Sequence, residues 1–272
     1  MSEPTGVQRI ARAFAEHGKR AALMPYVMGG FPTLEQSAQI GAACARAGAD
    51  VIELGMPYSD PLADGPVIHE AGTRALAAGA NVAGVLEVAR ALAPSVPVVL
   101  MCYANMVFAP GVERFVERLA RSGASGLIVP DLPTGEAPEV LAATDAAGLA
   151  LVPLVAPTTT PARLRRIGEQ TRGFLYTVSV VGTTGERQAL SDRFAEVIAH
   201  AKANTSAPVA LGFGISTPEQ AAQAADAGAD GVIVGTRLVR AATEAEDPAE
   251  GVGALVAGLA AGLAATDLRP AG

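Results

Sequence analysis

The chain has 272 residues, 50% of them hydrophobic, which is enough to bury one large α/β core or two small ones. A formal net charge of -7 and an isoelectric point near 5.1 argue against nucleic acid or an anionic membrane surface as the partner, yet leave room for a small anion held by backbone amides. Cys44 and Cys102 lie far apart in apolar segments, so neither a disulfide framework nor a CxxC metal site is expected, and a reducing, cytoplasmic compartment fits.

In chain order, MSEPTGVQRIARAF reads as an amphipathic helix without the apolar centre of a signal peptide. Eight short apolar runs then recur between Ala-rich helical stretches: 23–28, 50–54, 97–102, 125–129, 150–155, 173–178, 208–213 and 231–235. Their spacing of roughly 25 to 35 residues, with one wider gap after the second, is the rhythm of βα units on a parallel sheet. A single (β/α)8 TIM barrel over residues 1–272 is the simplest solution, with the extra N-terminal helix, roughly 7–17, covering its lower end. The last apolar stretch, 251–265, is too short and too rich in Ala and Gly to span a bilayer and reads as a packing helix.

An internal echo supports the repeat. ARAGADVIELG (45–55) and ADAGADGVIVG (225–235) share a helix end, a glycine turn and a strand, with RSGASGLIVP (121–130) a weaker copy. Gly48, Gly123 and Gly228 would supply the left-handed residue that ends each helix.

A barrel gathers function at the carboxyl ends of its strands. There the sequence places Glu53 with Asp60 and Asp64, Tyr103 with Asn105, Asp131, Tyr176 before a GTTG loop, GFGIS at 212–216 and GTR at 235–237. Glu53 stands among Val51, Ile52 and Leu54, where a lone acid is costly to bury. That points to a catalytic carboxylate; the alternative is a buried ion pair with an arginine. The glycine-rich junctions near strands six, seven and eight form a phosphate site in the usual barrel position, with Gly214, Ser216, Gly235 and Thr236 foremost and Gly185 reaching over.

Lysine and histidine narrow the chemistry. Lys19 and Lys202 are the only lysines and neither falls at a strand's carboxyl end, so a Schiff-base aldolase has no nucleophile. His17, His69 and His200 share no metal-binding spacing, and no metal is expected. Carboxylate acid–base chemistry remains, with Glu53 raised in pKa by apolar surroundings and a better-solvated Asp64 staying ionised.

The block IELGMPYSDPLADGP (52–66), together with PYVMGGFPT, LMCYANMVF, VPDLP, LYTVSVVGTTG, GFGIS and GADGVIVGTRLV, resembles the tryptophan synthase α-subunit family over nearly the whole chain. The resemblance implies cleavage of indole-3-glycerol phosphate to indole and glyceraldehyde 3-phosphate, without a cofactor on this chain. It makes Glu53 the general acid–base residue, Asp64 the acceptor for the indole N–H and Tyr176 the adjacent aromatic hydroxyl. Tyr26, Tyr103, Leu127, Val129, Val155 and Phe213 would contact substrate, and Thr184 would reach toward Asp64 from a lid after strand six. It also implies a β subunit carrying pyridoxal phosphate in an α2β2 complex, met through Asp60 and Asn105. Val180 and Val181 stand where some members carry a polar or basic residue, and Thr236 replaces a common serine while keeping the hydroxyl. A free-standing indole-releasing lyase and a barrel retained as an allosteric subunit are the alternatives.

Overall fold

Thr5 starts the first helix, α1 (Gly6–Glu16), through a capping box: its hydroxyl accepts from the Gln8 amide while the Gln8 side chain accepts from the Thr5 amide. The computed structural model describes residues 3–178, 187–212 and 214–264, with backbone alone for 187–193. Among the described residues nine strands follow: β1 (Ala22–Met28), β2 (Ile52–Gly55), β3 (Val98–Met101), β4 (Gly126–Ile128), β5 (Ala150–Val152), β6 (Leu154–Val155), β7 (Leu175–Val178), β8 (Val209–Gly212) and β9 (Gly231–Val234). Between and after them run α2 (Leu34–Arg46), α3 (Pro66–Ala77), α4 (Val82–Leu92), α5 (Ala104–Phe108), α6 (Val112–Arg121), α7 (Pro138–Ala146), α8 (Pro161–Gln170), α9 (Arg187–Lys202), α10 (Pro218–Asp226), α11 (Thr236–Glu244) and α12 (Pro248–Gly262).

The named strands all pair in parallel, in the order β5-β4-β3-β2-β1-β9-β8-β7-β6. The two ends of this order are pieces of the single strand expected at 150–155. Pro153 separates them because it has no N–H to give a ladder; β5 pairs with β4, and β6 pairs with β7. The expected eightfold barrel is therefore present, with its ring completed through the covalent chain at Pro153.

Side chains alternate between two cores. Met24, Val51, Val99, Ile128, Ala150, Val152, Phe174, Tyr176, Ala210 and Ile233 fill the interior, while Leu23, Ile52, Leu54, Val98, Leu100, Leu127 and Val232 pack outward beneath the helices. Helix α1 closes the amino-terminal end, as the sequence suggested. Ile10 belongs to the interior cluster with no exposed surface, and Phe14 lies against Phe174 with ring centroids 5.6 Å apart. Arg9 fixes the helix by donating to the carbonyls of Gly123, Ala93 and Val96. At the other end of the sequence, α12 is capped by Asp247 and buries Val252, Val256 and Leu259. No single described helix is long and apolar enough to cross a membrane.

The sequence echo has a physical cause. Gly48, Gly123 and Gly228 adopt φ of 102°, 75° and 97°, ending α2, α6 and α10 in the left-handed region. The Asp that follows two of these turns ties neighbouring strands together. Asp50 accepts from the Leu23 amide at 2.7 Å and pairs with Lys19 at 2.8 Å. Asp230 accepts from the Val209 amide at 2.8 Å and pairs with Lys202 at 2.8 Å. Both lysines are thus employed at the amino-terminal end of the strands.

The Lys19 and Asp50 side chains are 14% and 11% exposed, against 42% and 38% for Lys202 and Asp230. Asp50→Ala should therefore cost about 2–3 kcal/mol and Asp230→Ala about 1 kcal/mol, because only the first strands a cation away from water. Urea unfolding of the two variants checks the ranking; equal losses would contradict it.

Candidate active site

Glu53 sits on β2 directly across from Tyr26 on β1 and Val99 on β3, and Val99 belongs to the barrel interior. The carboxyl group therefore faces the axis near the carboxyl ends of the strands, with only 1% of the residue exposed. No arginine meets it, so the ion-pair alternative fails among the described residues. Its Oε2 is buried without a hydrogen-bond partner. Burial, and then the nearby negative charge of Asp64, push its pKa up to about 8.

Asp64 lies in the loop between β2 and α3, half-buried, and burial raises its pKa as well. A hydrogen bond from the Tyr103 hydroxyl and the charge of His69 oppose that rise. Tyr103 secures the loop at two points: its hydroxyl donates to Asp64 and accepts from the Ala63 amide at 3.0 Å. Its ring stacks on Tyr58 at 5.2 Å, and Asp131 accepts from the following amide, Ala104, at 2.8 Å. Expected as a substrate contact, Tyr103 has its hydroxyl engaged in holding Asp64.

Tyr26 and Tyr176 are buried, 7% and 4% exposed, and stand over glycines. A Cβ on Gly55 would fall 1.9 Å from the Tyr26 hydroxyl, and one on Gly212 would fall 2.5 Å from Tyr176 Cε1. Burial holds both phenols well above their usual pKa, with Asp64 and Glu53 adding to the effect at Tyr26, and Glu53 and Tyr26 at Tyr176. The glycines are thus the space that lets two phenols converge on one carboxyl group.

The structure places three of the expected apolar contacts outside the barrel interior. Leu127 and Val129 pack in the layer between sheet and helices, and Val155 joins Leu164, Ile167 and Leu175 in an outer cluster. Strand alternation gives the interior to Ile128, Val152 and Leu154 instead. Apolar runs longer than the strands they contain hide that parity in the sequence. Val129 and Val155 do line a cavity of about 780 Å3 that extends from Val152, Leu154 and Val178 outward to Arg163 and Arg166 of α8. Glu53, Asp64 and Tyr176 do not line that cavity, so its size does not make it the seat of the chemistry.

At the proposed anion site, Gly235 precedes α11 without a side-chain cap, leaving the first-turn amides of Thr236 and Arg237 without intrahelical acceptors. Gly214 has φ of 82° and leads to Ser216, whose amide and hydroxyl both donate to Gln220 Oε1, at 2.8 and 2.9 Å. Thr184, Gly185, Phe213 and the Val180–Val181 lid position lie outside the described residues. Asp60 and Asn105 are exposed on the mouth's rim. Two residues missed by the sequence reading share that rim: Leu62, 88% exposed, and Phe108, 41% exposed. The readable signal was a leucine set between Pro61 and Asp64 in an otherwise polar loop.

Comparison with known proteins identifies the family. The family model described as tryptophan synthase alpha chain matches residues 13–263. The tryptophan synthase alpha chain of Gloeobacter violaceus is 50% identical over 244 residues, 88% of each chain, and that of Methanosarcina mazei 50% identical over 257 residues, 94% of each. Among solved structures, a Mycobacterium tuberculosis tryptophan synthase chain superposes with a TM-score of 0.87 at 38% identity, covering 97% of this chain and 100% of that one. Tryptophan synthase subunit alpha from Legionella pneumophila gives 0.86 at 35% identity, covering 94% and 98%. Matching the family model over residues 13–263 and superposing on solved members at 35–38% identity, the chain belongs to the tryptophan synthase alpha chain family.

Proposed function

We propose that this mouth performs the family's reaction, cleavage of indole-3-glycerol phosphate, with Glu53 as the single proton carrier. The observation that carries the reading is a buried carboxyl group whose Oε2 has no partner among the described residues and whose pKa is pushed up to about 8, so that it holds a proton at neutral pH and can release it. Glu53 gives its proton to the indole C3, forming an indoleninium cation. The ring N–H donates to Asp64, whose charge offsets the developing positive charge. The C–C bond to the glycerol carbon then breaks, its electron pair returns to the ring, and Glu53 takes up the hydroxyl proton as that carbon becomes the aldehyde. Indole and glyceraldehyde 3-phosphate leave, and Glu53 is protonated again.

Tyr176 orients Glu53 from across the barrel, while Tyr26, Ile128 and Leu154 bound the flat ring. The first-turn amides of α11 at Gly235 and Thr236, with Gly214 and Ser216 beside them, receive the phosphate. Residues 1–272 act as one barrel domain in the cytoplasm. The rim of Asp60, Leu62, Asn105 and Phe108 docks the tryptophan synthase β subunit in an α2β2 complex. Pyridoxal phosphate belongs to that partner, with none on this chain. Exposed leucine and phenylalanine beside polar groups are the composition expected of such a docking edge.

Glyceraldehyde 3-phosphate release from indole-3-glycerol phosphate tests the core of the reading. Glu53→Gln should abolish it while leaving substrate affinity intact, and Asp64→Asn should severely weaken it; near-normal turnover in either variant refutes that residue's role. Because cleavage starts from protonated Glu53, wild-type kcat/KM should fall as pH rises through about 8. The same carboxyl links stability to pH. Between its ordinary value of 4.5 and about 8 the folded protein holds a proton that the unfolded chain has lost, so wild-type stability declines across that window. Glu53→Gln lacks this linkage, and its advantage in melting temperature should widen from pH 4.5 to 8 and then level off; a constant difference contradicts a buried carboxyl. Leu62→Asp should weaken β-subunit binding at least tenfold with unchanged basal cleavage, measurable by calorimetry. Unaltered affinity would remove the docking edge from this loop.

A further inference from the structure

The Tyr26 hydroxyl occupies a place that packing alone does not explain. It is part of a residue 7% exposed, and its one hydrogen-bond partner among the described residues is the thioether sulfur of Met28 at 3.8 Å, a weak acceptor. A phenylalanine would fill the same volume without burying a poorly satisfied hydroxyl. The neighbouring backbone nevertheless accommodates the oxygen: Gly55 leaves the space that a Cβ, falling 1.9 Å from the hydroxyl, would close. Because Tyr26 pairs with Glu53, and Gly55 lies two residues farther along the same face of β2, the hydroxyl stands one step above the Glu53 carboxyl toward the loop of Asp64. The titratable groups that face it are Asp64 from that loop, Glu53 from β2, Tyr103 from the end of β3 and Tyr176 from β7. Of these, Tyr103 already donates to Asp64, whereas Glu53 Oε2 has no donor among the described residues.

We propose that Tyr26 is a positioning residue for the proton carrier: its hydroxyl turns from Met28 to donate to the Glu53 carboxylate each time Glu53 has given up its proton. This rests on the acid–base role of Glu53 proposed above and adds what stabilises its ionised form. No proton is transferred from Tyr26, whose burial keeps the phenol protonated throughout. The exchange replaces a neutral sulfur acceptor by a charged oxygen acceptor, which is the stronger bond.

Tyr26→Phe keeps the ring and removes only the hydroxyl. In the full-length chain, carbon-13 NMR titration of the Glu53 carboxyl should give a pKa roughly one unit or more above wild type, because the ionised form has lost its donor. The alkaline limb of the kcat/KM profile should move up with it, kcat should fall roughly tenfold, and KM should stay within about twofold. Gly55→Ala, which must push the hydroxyl aside, should reproduce the upward shift at Glu53. An unshifted or lowered Glu53 pKa in Tyr26→Phe, or a change confined to KM and melting temperature, would overturn the proposal and leave Tyr26 as a packing residue. The two readings fail separately. Wild-type protein that does not cleave indole-3-glycerol phosphate refutes the function, while the NMR shift, read without substrate, reports on the Tyr26–Glu53 contact alone.

Discussion

Closing a parallel sheet into a ring leaves every second residue of each strand facing a shared axis, and near the mouth that rule fixes which side chains can meet. Glu53, Tyr26 and Tyr176 come from β2, β1 and β7 and converge only because each holds an inward position. Lower down, the same positions carry Met24, Val51, Val99 and Ala210, which together with Ile10 and Phe14 of α1 make a filled interior. The carboxyl group thus rests on an apolar floor that contributes to the burial which, with the charge of Asp64, raises its pKa. A helix of modest length at the amino-terminal end therefore has a chemical consequence at the opposite end, by excluding water from beneath the site.

The site is assembled from groups whose hydrogen-bonding capacity is left open in the folded protein. Glu53 has a bare oxygen, Tyr26 has a sulfur, and the first turn of α11 lacks a cap. By contrast, the supporting groups are fully engaged: Tyr103 bonds to Ala63 and Asp64, Asp131 caps Ala104, and Gln220 fastens Ser216. Unsatisfied polar groups on a rigid frame are what a substrate must supply partners for, and they lower stability in its absence. Ser216 marks the boundary between the two sets, since its amide and hydroxyl already have an acceptor.

Much of this was legible in the chain. The period of apolar runs gave the barrel, the three helix-ending glycines gave the turns, and a lone acid among Val51, Ile52 and Leu54 gave the site its centre. Strand parity was harder to read. In GLIVP every residue is apolar or a turn former, so nothing in the letters says that Ile128 rather than Leu127 or Val129 looks inward. The answer depends on Gly126 beginning β4 opposite Val99 and Ala150, a pairing between distant segments. The break at Pro153 was visible as a residue but not as an event, because a proline lacking one ladder bond is harmless where the strand changes partners. The further task of Tyr103 was not readable, since its bond to the Ala63 amide joins loops that are forty residues apart.

The placement of the lysines has a bearing on the product. An aldehyde released beside a primary amine condenses with it to an imine, and repeated turnover would slowly modify such a residue. Lys19 and Lys202, the only lysines in the sequence, lie at the closed end of the barrel, each with its ammonium group held by an aspartate. Cations near the mouth, such as Arg163, Arg166 and Arg237, are guanidinium groups, which are poor nucleophiles toward carbonyls. The mouth can therefore hold anions and discharge glyceraldehyde 3-phosphate without offering it a lysine amine to consume.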